Sequence, residues 1–207
     1  MRIIKKSWLM AVPLLLTLSA SPTSANGQDD LLMTLYPQGG KSLYCGSKFT
    51  KLGGRIRSAL IYPLSSVRQT LGCDTDNQCQ SNSRYQRISQ DLHNIYPMQN
   101  RVALKLRNNY YDTLSKNDFR EPVKKGCALN ISFQILEPAE HLRGDLARVL
   151  LYVEEAYQMP LQSNRQTLLD WHRADPPDEQ ERQRNDRVEQ LQGTRNPFID
   201  NPERTGS

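Results

Sequence analysis

Apolar positions recur with helical spacing most clearly in the C-terminal third. Leu142, Leu146, Val149, Leu150, Val153 and Tyr157 fall three or four residues apart. That spacing predicts one amphipathic helix, opened by Glu137-Pro138 and ended by Pro160. A second helix is expected over Thr167 to His172. Pro176-Pro177 then breaks the chain. Asp178, or the residue before it, caps a third helix through Val188 and Leu191, and Gly193 is suited to end it. Asn196 to Ser207, with Pro197 and Pro202, reads as a tail.

The N-terminal half alternates less regularly. Arg55 to Pro63 reads as a strand stopped by its proline, and Leu129 to Leu136 alternates well enough for another. Short helices are expected at Val67 to Leu71, at Tyr85 to Leu92 and at Val102 to Tyr110, with Pro97 ending the region between the last two. Asn26 to Asp30 is polar and reads as loose. Asp29 stands where it would cap a short helix through Leu31, Leu32, Leu35 and Tyr36, broken by Gly39-Gly40. The pattern predicts an α+β domain with few strands and dominant helices.

The first residues address the compartment. Arg2, Lys5 and Lys6 precede an apolar run from Trp8 to Ala20, followed by small residues up to Ala25. At roughly a dozen residues the run is short for a membrane span and suits an export leader cleaved after Ala25. The expected organisation is therefore a leader at 1–25, an N-terminal segment at 26–40, one domain at 41–200 and a tail at 201–207. After cleavage no membrane attachment is expected, and the protein reads as a periplasmic or secreted monomer.

Removing the leader's three basic residues lowers the formal charge from +5 to +2. The remaining charge is uneven. Residues 41–125 carry 15 lysines and arginines against 6 acidic residues, whereas residues 126–207 carry 9 against 14. A basic half attracts phosphate backbones and an acidic half does not. Arg55, Arg57, Arg68, Arg101, Lys105 and Arg107 are the candidate contacts to DNA or RNA. A solvated surface imbalance competes with that reading. The four cysteines of an exported chain imply two disulfides, with three possible pairings. Cys73 and Cys79 are read as a local bridge, leaving Cys45 for Cys127. Their spacing does not suggest zinc. Three scattered histidines, His93, His141 and His172, do not suggest a metal site either; His93 reads as structural. Arg143 and Arg148 flank Asp145 at helical spacing, so ion pairing competes evenly with phosphate binding. Arg182, Arg184 and Arg187 read as a solvated charged face.

Two segments carry a resemblance. One is Leu142-Arg143-Gly144-Asp145-Leu146-Ala147-Arg148. The other runs from Trp171 and Asp175-Pro176-Pro177, through Glu181, Arg184 and Asn185, to Gln192-Gly193-Thr194-Arg195-Asn196-Pro197-Phe198-Ile199-Asp200. Upstream, Leu71-Gly72-Cys73, Gln78-Cys79 and Asp91-Leu92-His93-Asn94-Ile95-Tyr96-Pro97 fit the same pattern. The chain resembles the bacterial endonuclease I family over most of its length past the leader. The resemblance implies a ββα-metal fold, helix-rich and stapled by disulfides, and a nucleic-acid-processing ancestry. In that family a His at a strand end acts as general base on water. A neighbouring Glu and an Asn on the following helix hold magnesium, and an Arg helps hold the phosphate.

The family writes that strand end as Glu-His-(Val/Ile)-(Val/Tyr)-Pro-Ala. This chain writes Ser58-Ala59-Leu60-Ile61-Tyr62-Pro63-Leu64. With Pro63 setting the register, the metal Glu falls on Ala59 and the base His on Leu60. Counting from Pro97, the metal Asn falls on Ala103. Asn100 stands one turn back, about 4.5 Å along the helix. The Arg between the loop cysteines is replaced by Asp76 or Asn77. The family's Cys-Gly-Cys is reduced to Cys45-Gly46-Ser47. The expectation is an inactive nuclease homologue that needs no cofactor and still holds nucleic acid by backbone charge. One alternative is a divergent magnesium-dependent endonuclease. Another is a module that binds an unknown protein partner.

Overall fold

A computed structural model of the chain describes residues 25–107 and 109–206. The leader expected at 1–25 therefore lies almost wholly outside the described residues. Among the described residues, no helix is long and apolar enough to cross a membrane. The elements in chain order are α1 (Ala25–Leu35), β1 (Gly40–Lys41), β2 (Lys48–Phe49), β3 (Ile56–Leu60), α2 (Leu64–Leu71), α3 (Asp76–Cys79) and α4 (Ser83–Gln90). There follow β4 (Ile95–Gln99), α5 (Asn100–Leu106), β5 (Tyr110–Tyr111), β6 (Glu121–Pro122), β7 (Leu129–Ser132) and β8 (Ile135–Pro138). A short 3-10 turn, Glu140–Leu142, leads into α6 (Arg143–Tyr157), α7 (Arg165–Ala174), α8 (Glu179–Gln192) and α9 (Pro197–Asp200).

Three small sheets sit among these helices. β1 pairs with β2, β3 pairs with β4, and the third sheet has the order β5-β8-β7-β6. β3 and β4 are antiparallel, Ala59 opposite Tyr96 and Leu60 opposite Ile95, and α5 begins directly where β4 stops. This is a ββα unit. Its core joins that of the C-terminal helices through Met98, Val102 and Leu106 on one side and Leu146, Leu150 and Val153 on the other.

Several elements differ from their sequence-based expectation. Pro97 does not end a region; it lies inside β4, opposite Ser58. The Ser58 N–H points away from β4 and donates to Asp29 Oδ1 at 2.6 Å. The Ser58–Pro97 pair is thus a non-hydrogen-bonded one, and the proline's missing donor removes no ladder bond. Residues 26–30 are not loose but open α1. Asp29 caps the outer edge of β3, Gln28 Nε2 donates to the Ser89 carbonyl, and Leu32 and Leu35 are buried with Leu92, Ile95 and Val188. The helix expected to reach Tyr110 stops at Leu106, and Tyr110 instead enters β5. The strand expected over residues 129–136 is a hairpin turning at Phe133 and Gln134, and Glu137-Pro138 closes β8 rather than opening α6. In the expected tail, Asn196 caps α9, while Arg204 pairs with Glu155.

The C-terminal helices are fastened around Arg148, which is fully buried. Its guanidinium makes a two-point contact with Glu181 of α8, bonds Asp145 Oδ1 at 3.0 Å and donates to the Asp175 carbonyl at 2.6 Å. The even choice for Arg148 is therefore settled as ion pairing. Arg143 likewise bonds Glu137 and the Pro138 carbonyl, with its guanidinium 5.5 Å from the Trp171 ring centre. Arg184 is no member of a solvated face: it lies over the Tyr96 ring and donates to the Leu92 and Ile95 carbonyls at 2.6 and 2.9 Å. The Asn185 side-chain amide donates to the Asn196 carbonyl and accepts from the Asn196 N–H, and Arg195 gathers Asp186, Glu189 and Asp200.

Burial, and then the Glu181 carboxylate beside it, pushes the Asp145 carboxyl up to about 8. The folded protein therefore holds this proton to higher pH than the unfolded chain, whose aspartates titrate near 4. The stability tied to that proton is fully present below the unfolded value and is lost as pH rises towards 8. Asp145→Asn is expected to flatten the decline of stability between about pH 4 and pH 8. Urea unfolding at several pH values checks this; an unchanged slope refutes it.

Candidate nucleic-acid cleft

The ββα unit forms one wall of an open cleft of about 390 Å³. β3 contributes Arg57, Ser58, Ala59 and Leu60, and α5 contributes Asn100, Ala103 and, just past its end, Arg107. The opposite wall comes from Leu64, Ser65 and Arg68 of α2, Asp76 of α3 and Tyr85 of α4, with Gln28 of α1 at the margin. Ala59, Leu60, Ala103 and Asp76 thus line one cleft, although three helices and a strand separate Ala59 from Ala103 along the chain. Ser65 Oγ donates to the Arg107 carbonyl at 2.5 Å and ties α2 to the end of α5.

Two disulfides frame this arrangement. Cys73–Cys79 brackets α3 and so holds Asp76 on the rim, and Cys45–Cys127 joins chain on either side of the ββα unit. A capping box at the start of α3, with Thr75 and Gln78 exchanging side-chain bonds, further fixes that loop.

Three arginines and a single carboxylate line the cleft. Asp76 Oδ1 accepts from Arg68 Nη1 at 2.5 Å and from the Tyr85 hydroxyl at 2.7 Å. Burial alone would push the Asp76 carboxyl up; the Tyr85 and Arg68 donors outweigh it and hold the group below its usual range. Asp76 is therefore ionised at neutral pH and neutralises Arg68, leaving Arg57 and Arg107 as the less encumbered cations. Asn100 lines the cleft, but its Nδ2 donates to the Gly54 carbonyl across the β3 end of the unit. Its Oδ1 is buried without a hydrogen-bond partner among the described residues.

Not every candidate contact gathers here. Arg55 lines a separate shallow surface with Lys48 and Lys51, while Arg101 and Lys105 are exposed on α5 outside the cleft lining. Ser65, Tyr85 and Gln28 escaped the sequence reading, because α2, α4 and α1 bring them in from elements with no local chemical signal. His93 is buried away from the cleft, its Nε2 at 3.0 Å from the Thr194 carbonyl and its ring edge-on to Tyr152. Burial pushes its pKa down, which favours the neutral ring. His172 is buried beside Arg148, and His141 is exposed on the turn before α6.

The model of the family described as Endonuclease I matches residues 75–203, more than half of the chain. The chain belongs to the endonuclease I family. It is 28% identical over 165 residues to an extracellular deoxyribonuclease of Aeromonas hydrophila, covering 76% of this chain and 70% of that protein. A periplasmic deoxyribonuclease of the same organism is 29% identical, covering 76% and 68%. An extracellular ribonuclease of Bacillus subtilis is 35% identical over 86 residues, covering 32% of this chain and 30% of that protein. The family match includes Asp76, β4, α5 and the whole Arg148–Glu181 network, but begins after β3.

Magnesium, which the resemblance implies for family members that cut, does not suit the residues at this position. Ala59, Leu60 and Ala103 offer no ligating atom. Asp76 is already held by Arg68 and Tyr85, and the unpaired Asn100 Oδ1 is a single neutral oxygen with no carboxylate free beside it. Among the described residues no group of three His, Cys, Asp or Glu side chains is placed to hold a metal ion.

Proposed function

We propose that this chain is an exported family member that no longer hydrolyses phosphodiesters and retains a cleft for nucleic-acid backbone. The observation that carries the reading is the convergence of Ala59, Leu60 and Ala103 on one cleft beside Arg57, Arg68 and Arg107. Hydrolysis needs a proton acceptor and a means of neutralising charge on the leaving oxygen. A methyl group and a leucine supply neither. Retention of phosphate needs only cations and hydrogen-bond donors, and the arginines offer both. The export leader and the extracellular and periplasmic relatives support action outside the cytoplasm.

The reading requires no cofactor and predicts binding without sequence preference, since phosphate contacts position a ligand without reading bases. Purified, oxidised protein incubated with supercoiled plasmid and magnesium is expected to leave the plasmid intact to the level of a buffer control. Protein-dependent nicking that disappears with a chelator overturns the proposal and favours a working nuclease. Binding to DNA separates the reading from a protein-interaction module and is treated in the Discussion.

A further inference from the structure

At the far end of the four-stranded sheet two phenylalanines stand in solvent. Phe133 is 94% exposed and Phe119 is 71% exposed. Phe133 is the first of the two residues that connect β7 to β8. Its φ of 51° is a left-handed value, and Gln158, at the end of α6, is the other described non-glycine residue with a positive φ. Hairpins favour glycine or asparagine at such positions, because a bulky side chain there strains the backbone. Here the ring at the strained position packs against nothing that would repay the strain.

The strand register places both phenylalanines at one end of the sheet. β6 runs antiparallel to β7 with Glu121 opposite Ile131. Phe119, two residues before that pair on one strand, and Phe133, two residues after it on the other, therefore leave the ladder at the same end of the sheet. β5 closes the same end: Tyr110 pairs with Ile135, and its N–H donates to the Gln134 carbonyl at 3.0 Å. Arg107 lies three residues before Tyr110, no more than about 11 Å of chain. The exposed cations of α5, Arg101 and Lys105, and exposed Lys116 lie on the chain segments leading to this edge. The carboxylates of the same segment are Asp112, which accepts from the Thr113 N–H, Asp118, which accepts from the Ser115 N–H, and Glu121, exposed in β6.

Exposed aromatic faces beside a line of cations suit unpaired bases, which stack on rings while the backbone follows the charge. We infer that Phe133 and Phe119 form a stacking platform for unpaired bases of single-stranded nucleic acid. The strand's backbone runs from the cleft along α5 to the end of the sheet. This rests on the nucleic-acid reading of the cleft and adds a preference to it: a duplex keeps its bases stacked inside and gains nothing from the two rings.

The test uses the full oxidised protein and fluorescently labelled oligothymidylate of about 16 nucleotides, within the span of known single-strand sites. Phe133→Ala and Phe119→Ala are each expected to weaken binding by about 5- to 150-fold, the range for loss of one stacked base. Affinity for a duplex of equal length should change less than about twofold in either variant. Phe133→Trp should retain binding, and its added fluorescence should be quenched by the oligonucleotide. Oligouridylate bound more tightly than oligothymidylate, with the same dependence on Phe133, assigns the platform to RNA; the reverse order assigns it to DNA. Alanine variants that bind the single strand as well as the parent protein overturn the inference while leaving the cleft reading in place. A parent protein that binds neither strand nor duplex overturns both.

Discussion

Arg148→Ala is expected to lower stability by about 3–5 kcal/mol, a large part of the 5–15 kcal/mol that holds an ordinary domain together. Arg148 has no exposed surface, and its partners come from three places: Asp145 on its own helix, Glu181 on α8 and the Asp175 carbonyl after α7. Removing the guanidinium leaves the nearly buried Glu181 carboxylate without its two donors. The cost is that uncompensated charge together with a cavity the size of an arginine side chain. Changing both partners together has a smaller effect. Arg148→Met with Glu181→Leu should recover most of the loss, because apolar groups of similar volume need no donors. Urea unfolding followed by circular dichroism measures each variant. A cost below about 1 kcal/mol for Arg148→Ala would show that the network is incidental.

The second large effect is on binding. Affinity for duplex DNA should fall steeply with salt, since each phosphate neutralised by a cation contributes a slope near −0.9 in log K against log salt. Arg57, Arg68 and Arg107 alone predict about a 40-fold loss between 50 and 200 mM salt. If Arg55, Arg101 and Lys105 also take part, the loss rises to about 2000-fold. The measured slope therefore counts how far the footprint extends beyond the cleft. Asp76→Asn should strengthen binding, because it removes the carboxylate that competes with phosphate for Arg68. Fluorescence anisotropy titrations across a salt series give both quantities. A flat salt dependence would sink the backbone-binding reading and leave a protein-interaction module in its place.

The C-terminal half was legible because its rules are local. The spacing from Leu142 to Tyr157, the cap at Asp178 and the left-handed Gly193 are all borne out in α6 and α8. The hairpin at Phe133 was hidden because an apolar residue at the turn continues the look of a strand. The polar start of α1 read as loose because its stability is tertiary, resting on Asp29 at the β3 edge and on leucines buried beneath α8. Arg184 looked solvated by its neighbours' charge and is instead spread over Tyr96. In the cleft, the positions Ala59, Leu60, Ala103 and Asp76 could be placed from the resemblance and one proline. The far wall could not, since Ser65 and Tyr85 carry no pattern of their own. Many residues of the distinctive C-terminal motif, Arg148, Glu181, Asn185, Arg195 and Asn196 among them, hold the helices together rather than touch the cleft.

The Cys45–Cys127 bridge spans 82 positions of the sequence, and every residue named in the cleft except Gln28 falls inside that ring. A cross-link of this length removes roughly 4–5 kcal/mol of chain freedom from the unfolded ensemble in the loop-entropy account. The residues of the Arg148 network all lie outside the ring, so the bridge and the network restrain different stretches of the chain. Substitutions on the cleft floor are therefore made against a reserve that the cleft itself does not supply. Such a ring widens the set of cleft sequences that still fold, and it lets a catalytic surface be rewritten one residue at a time.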